Sequence, residues 1–264
     1  MATSYSADEP AARRQTGRAR AWAAAWLAGT LMAAASLAGD EPPPAATTNF
    51  AAQARQVYLE ARTLHESSPT NVTAAWHFAR ACFDWAEFAT NDTQRAGLAH
   101  EGIEAGRSLV ASEPKLAVAH YYLALNLGQL ARTKSLGALK LVDEMEKQFT
   151  MARELDPQLD HAGPDRCLGL LYRDAPGWPA SLGSRSKARR HLQRAVDLCP
   201  DFPENQLNLI ESQLRWGERK LVERELPHIA KVLTRARAAL SGDVWAASWA
   251  DWDKRWEVVV TKAG

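Results

Sequence analysis

Pro69, Pro114, Pro157 and Pro200 stand 45, 43 and 43 residues apart in a chain of 264. Each closes a similar phrase: LHESSP, LVASEP, ARELDP and AVDLCP. Proline has no amide hydrogen to give to a helix, and its ring clashes with the carbonyl four residues back, so helices stop or start at it. A helix punctuated at so regular a pitch belongs to a helical repeat array. One unit of such an array cannot bury its apolar face alone, so stacked neighbours supply the core. From Phe50 onward the apolar residues recur at helical rather than strand spacing, which predicts an all-α fold.

Aligned on their closing prolines, the units share further signals. Phe149 and Ala152 precede Pro157 at the same offsets as Leu192 and Ala195 precede Pro200. A large apolar residue, then a small one, then proline is the pattern of the second helix of a tetratricopeptide repeat. The small residue lets the next helix approach, and the proline opens that helix. The first helices agree: Leu123 and Ala124, then Leu168, Gly169 and Tyr172, and in the first unit Trp76, Ala79 and Phe83. Each set falls on one helical face that needs a partner. The expected fold class is therefore all-α, a tetratricopeptide-like helical repeat array of four extended helix pairs with N- and C-terminal capping helices.

The pitch exceeds the roughly 34 residues of a standard unit by about nine. The sequence places the excess between the paired helices, around Gly128–Leu141 in one unit and Ala175–Gly183 in the next. HEAT-type units of about 40–47 residues compete, but the alanine-to-proline offset favours the tetratricopeptide assignment. The expected units are 69–113, 114–156, 157–199 and 200–242 within a repeat domain at 51–257, with a leading helix near 51–66 and an exit helix at 243–257. At the last junction Gly242 stops one helix and Asp243 is placed to cap the next. The exit helix carries Trp245, Trp249, Trp252 and Trp256 on one face. Such a stripe suits a helix docking on the last pair, with an aromatic ligand wall or a self-association seam as the alternatives.

The N-terminus has another character. Arg13, Arg14, Arg18 and Arg20 precede a charge-free run from Ala21 to Gly39, and Ser36-Leu37-Ala38 offers a small-residue exit. Basic, apolar and small in that order predict an export signal over 1–39, with an inner-membrane anchor at 21–39 as the alternative. Residues 40–50, with three consecutive prolines, read as a flexible spacer. Without residues 1–39 the chain carries 28 basic and 29 acidic residues. That balance leaves no basic footprint for nucleic acid. The predicted location is the periplasm, or secretion after cleavage.

No catalytic group announces itself, and the chain is expected not to be an enzyme. The seven histidines are scattered, no phosphate loop or dinucleotide fingerprint occurs, and neither serine nor cysteine has a nucleophile's context. Cys82, Cys167 and Cys199 read as small core residues, with a Cys167–Cys199 bridge conceivable in an oxidising compartment. Asp156, Asp160, His161 and Asp165 match no metal loop and suit helix starts instead. No metal and no cofactor are expected. Asn71-Val-Thr73 and Asn91-Asp-Thr93 fit the glycosylation sequon, but Asn71 suits a helix cap better. The basic run Arg185–Arg194 suits a solvated helix face.

The stretch 160–209 says more. Gly169 and Tyr172, the APGWP insert at Ala175–Pro179, Ser181, Gly183 and the PENQ box at Pro203–Gln206 resemble the T-component (TatT-like) proteins of tripartite ATP-independent periplasmic (TRAP) transporters. The resemblance covers about 51–235. It implies an exported, non-enzymatic partner of a periplasmic solute-binding protein, holding an apolar small molecule between repeats. Family members are often lipoproteins, and this chain has no cysteine before Cys82 to carry a lipid. The alternative is a general cell-envelope protein–protein interaction scaffold, able to form homo-oligomers and serving no transporter. In either case the candidate binding residues are Tyr121, Tyr122, Tyr172, Trp178 and Asn205. Pro176 and Pro179 stiffen a loop that would either present Trp178 or fold it back on the array.

Overall fold

The computed structural model describes residues 49–134 and 137–264, which form ten α-helices and no β-strand. The helices are α1 (Phe50–Ser67), α2 (Val72–Ala86), α3 (Asp92–Ser112), α4 (Ala117–Arg132), α5 (Ala138–Leu155), α6 (Leu159–Asp174), α7 (Arg185–Leu198), α8 (Pro203–Arg215), α9 (Arg219–Ala239) and α10 (Asp243–Ala263). The pairs α2/α3, α4/α5, α6/α7 and α8/α9 stack in order. The first helices of successive pairs also touch one another, α2 on α4, α4 on α6 and α6 on α8. They form one layer, with α1 closing its N-terminal end on α2 and α10 closing the other end on α8 and α9. This is the all-α array of four helix pairs with flanking helices expected from the proline pitch. The expected export signal and most of the spacer lie outside the described residues. Among the described residues no helix is long and apolar enough to cross a membrane.

Local chemistry sets several helix starts. The side chains of Asn49, Asn71 and Asn91 each accept from the backbone amide three residues on, at 3.0, 3.0 and 2.8 Å. Ser184 does the same for α7. At α10 the expectation is corrected: Gly242 occupies the cap position, no side chain caps there, and Asp243 lies inside the first turn. An acid in that place still favours the positive end of the helix dipole.

The extra residues lie where the sequence placed them in the third unit alone. The connections inside the first, second and fourth pairs are short, at 87–91, 133–137 and 216–218. There the excess is absorbed in long second helices, 21 residues in α3, 18 in α5 and 21 in α9. Only the third pair keeps a true insert, residues 175–184. A surplus with continuous helical periodicity lengthens a helix, because each added residue gains a backbone hydrogen bond. The surplus holding Pro176, Gly177 and Pro179 cannot do so.

The repeat signature packs as its chemistry requires. Phe149, Ala152, Leu192 and Ala195 are fully buried, as are Leu123, Ala124 and Leu168. Gly169 marks a close helix approach within the third pair: a Cβ there would stand 2.6 Å from Leu192 Cγ and 3.0 Å from its backbone nitrogen. Most buried apolar residues from Tyr58 to Ala188 make one large cluster, with a small satellite of Ala75, Leu109 and Ala119, whereas those from Phe202 through α10 form two others. Trp249 and Trp252 are buried in the C-terminal clusters, with Trp245 and Trp256 partly buried beside them. The tryptophan stripe therefore docks α10 on the last pair. The three cysteines are free thiols.

Candidate functional site

The layer of first helices carries a polar strip from α2 to α10. At its N-terminal end Arg80 and Asp84 face each other one turn apart on α2, at 3.3 Å, with side chains 54% and 43% exposed. Burial around the Asp84 carboxyl pushes its pKa up to about 6 against the pull of Arg80, and Asp160 and Glu87 push in the same direction as burial. Next on α4 comes Tyr122, stacked on Trp76 with ring centroids 6.2 Å apart and facing Arg80, Asp160 and Arg166. Its neighbour Tyr121 is buried and donates to Asp160 Oδ2 at 2.6 Å. Burial, reinforced by Asp160, holds the Tyr121 hydroxyl protonated far above the usual phenol range.

The centre of the strip is the start of α6, where Asp160, His161 and Ala162 adopt positive φ of 49°, 55° and 63°. Left-handed backbone costs roughly 1–2 kcal/mol at each residue bearing a Cβ. Three such residues in a row persist only if their surroundings over-determine them. They do. Arg166 donates to the carbonyls of Asp160 and His161 at 3.2 and 3.3 Å and grips the Asp160 carboxylate at 2.6 Å. From α8, Asn205 donates to the His161 carbonyl at 2.9 Å and accepts from Arg166 at 3.0 Å. The helical run then resumes through Pro164, whose missing amide costs little in a first turn.

Beyond Asn205 the strip turns acidic. Arg255 of α10 is shared by Glu204 and Glu211 of α8 and Asp251 of α10, at 2.7, 2.8 and 3.2 Å. Burial alone would raise the Glu204 pKa, but Arg255 and Arg166, with the Trp252 indole donating at 2.6 Å, bring it down to about 2. Across the whole strip Arg80, Arg166 and Arg255 face five carboxylates: Asp84, Asp160, Glu204, Glu211 and Asp251. The face can accept cationic and hydrogen-bonding groups. Burial raises the thiols of Cys82, Cys167 and Cys199 and pushes Cys167 up to about 12, so none is a ready nucleophile.

Of the residues singled out from sequence, the fold brings Tyr121, Tyr122 and Asn205 together around the left-handed turn. Tyr172 and Trp178 lie apart, at the far end of α6 and in the insert that follows it. Tyr172 is buried, donates to Glu146 and carries Lys187 4.6 Å above its ring. Trp178 is 89% exposed, so the loop presents it outward. The amide of Asn205 is saturated within the fold, because Nδ2 also reaches the carbonyls of Ala195 and Cys199. The four residues weighed as metal ligands point to different partners. Asp160 goes to Tyr121 and Arg166, and Asp165 to His191 and Arg194. Sequence reasoning missed Arg80, Asp84, Glu204 and Arg255. The four-residue spacing of Arg80–Asp84 and Asp251–Arg255 on amphipathic helices was the available signal.

Comparison with known proteins places this architecture. A family model described as regulator of microtubule dynamics protein 1-3 matches residues 45–162, a little under half of the chain. The crystal structure of a thermophilic TPR protein from Thermus thermophilus superposes with a TM-score of 0.57 at 19% identity. That match covers 80% of this chain and 92% of the other. No curated protein matches the chain significantly. At such an identity the likeness establishes the fold, a tetratricopeptide-like helical array.

Proposed function

We propose that this chain is a non-enzymatic binding scaffold whose first-helix face holds a basic segment of a protein partner. The observation that carries the reading is the polar strip itself. Arg80 and Asp84 stay half-exposed at its N-terminal end, and the strip runs through five helices with more carboxylates than guanidiniums. A core needs none of these groups. Arrays of this kind use one extended face for partners.

Two finer readings name the partner. The APGWP insert and PENQ box favour a T-component role, with a periplasmic solute-binding protein as partner and an apolar small molecule as cargo, after export through residues 1–39. The family model suggests instead a partner within the machinery that regulates microtubules, although it stops at residue 162, before the insert. These belong to different cells, so one capture separates them. Tagged full-length chain is incubated with extract of the source cells, and bound proteins are identified by mass spectrometry. The expected result is a partner retained by wild type and reduced at least tenfold by Asp84→Lys together with Glu211→Lys. A solute-binding protein among the captured species supports the transporter reading, and a tubulin-associated protein the other. Retention unaffected by the charge reversals would overturn the assignment of the face.

A further inference from the structure

The edge that presents Trp178 has the opposite electrostatic character from the first-helix strip. Just before the insert, Arg173 and Arg215 share the carboxylate of Asp174, which is fully buried. Just after it, Arg185 and Arg189 share the carboxylate of Glu218. Two guanidiniums on one carboxylate leave a net positive charge at each place. Arg190 adds another, being exposed and in no ion pair among the described residues.

These cations are held in place rather than loosely solvated. Arg185 and Arg189 lie over the Trp216 ring at 5.3 and 4.8 Å and share Glu218, contacts that hold both at the edge. With Ser186, Arg190 and Gln193 they line an open groove of about 580 Å³ along α7. The insert is equally fixed. Gly183 donates to the Pro176 carbonyl at 2.9 Å and pairs with Gly177, so the loop closes on itself beside Ser184, the cap of α7. Only glycine fits at 183, where a Cβ would stand 2.1 Å from the Ala175 carbonyl oxygen. Trp178 is thus raised on a closed, short-tethered loop next to a groove of guanidiniums.

We propose that this edge docks an acidic segment of a protein partner, with carboxylates seated along Arg185, Arg189 and Arg190 and the Trp178 ring taken into an apolar recess of that partner. Charge complementarity selects the sign, and guanidiniums held at the edge suit bidentate carboxylates. A protein segment fits better than an anionic lipid surface, because the guanidiniums line a groove along a helix and a single ring stands beyond them. The site lies on a different edge from the first-helix strip and does not depend on it.

The test uses the full-length chain and a labelled peptide alternating glutamate and leucine, with its lysine–leucine counterpart as control, read by fluorescence anisotropy at low and high salt. Wild type is expected to bind the acidic peptide at least tenfold more tightly than the basic one, with affinity falling as salt rises. Arg190→Glu is expected to weaken binding about fivefold and Trp178→Ala about tenfold, both with unchanged circular dichroism, since neither side chain packs inside. Equal affinity for the two peptides would overturn the proposal, as would indifference to both substitutions. So would equally tight, Trp178-dependent binding to phosphatidylcholine vesicles containing phosphatidylserine, which would assign the edge to a lipid surface. Asp84→Lys should leave this binding unchanged, which separates its outcome from that of the strip.

Discussion

At the scale of single residues, the decisive group is the left-handed run at Asp160, His161 and Ala162. None of these is glycine, and nothing in the local text announces positive φ there. The conformation is imposed by partners from three helices, Tyr121, Arg166 and Asn205, and such long-range over-determination is invisible in a linear sequence. Tyr121 and Asn205 were legible as special only because each is polar at a position facing inward. Glu204 is the residue whose chemistry gives the sharpest consequence. Its folded pKa of about 2 lies below the ordinary 4.5, so its ionised form stabilises the fold. That contribution is fully present above 4.5 and is lost as pH falls through about 2. The shift corresponds to about 3 kcal/mol at neutral pH and about 1 kcal/mol at pH 3. Glu204→Gln should therefore destabilise the protein by about that amount at pH 7 in urea unfolding, and the gap from wild type should narrow on acidification. A gap that stays constant between pH 7 and pH 3 would mean that the carboxylate's charge contributes nothing there.

Elements were far more legible than residues. Four closing prolines and the large–small–proline phrase located the paired helices, because helix termination and helix–helix approach are local events decided by nearby side chains. The division of each unit into helix and loop was not. The lengths of α3, α5 and α9 depend on whether neighbouring helices can cover an extra turn, and only at Pro176–Pro179 did the sequence forbid that turn. The exit helix was readable from its tryptophans, and its task is now specific. Trp252 packs edge-on against Phe202 at 5.6 Å and Trp249 at 4.9 Å, and Trp249 donates its indole hydrogen to the Leu240 carbonyl at 2.6 Å. Ending the chain at Gly242 would remove these tryptophans and uncover Phe202, Leu207 and Ala236 together with Ile210 and Val222. The shortened protein is expected to melt at least roughly 10 °C lower and to self-associate, since an array without its terminal cap exposes an apolar face. Sedimentation velocity and thermal melting check both. A monomer of unchanged melting temperature would show that α10 is not the cap.

Over the whole molecule, the apolar core is broken where the charge pattern also changes. Most buried apolar residues from α1 to the start of α7 form one large cluster, reached from the C-terminal side by Trp216, whereas α8, α9 and α10 otherwise form their own. Polar groups span much of the junction: Asn205 to Arg166 and to the carbonyls of His161, Ala195 and Cys199, and Arg173 to Ser212 at 3.1 Å. In a stacked array each unit feels mainly its neighbours, so stability follows the weakest interface. Hydrogen bonds hold that interface with less free energy than a continuous apolar contact, since each nets only about 1 kcal/mol. The three C-terminal helices should therefore open as a unit before the rest unfolds. Native-state hydrogen exchange is expected to give α8–α10 a common opening free energy below that of α4–α6. Asn205→Ala strands several buried carbonyls and the Arg166 guanidinium, so it should lower the C-terminal value by about 2–3 kcal/mol. Protection in α2–α5 should change little. Equal loss across all ten helices would instead mean that the array unfolds as one cooperative block and that the Asn205 junction is not its seam.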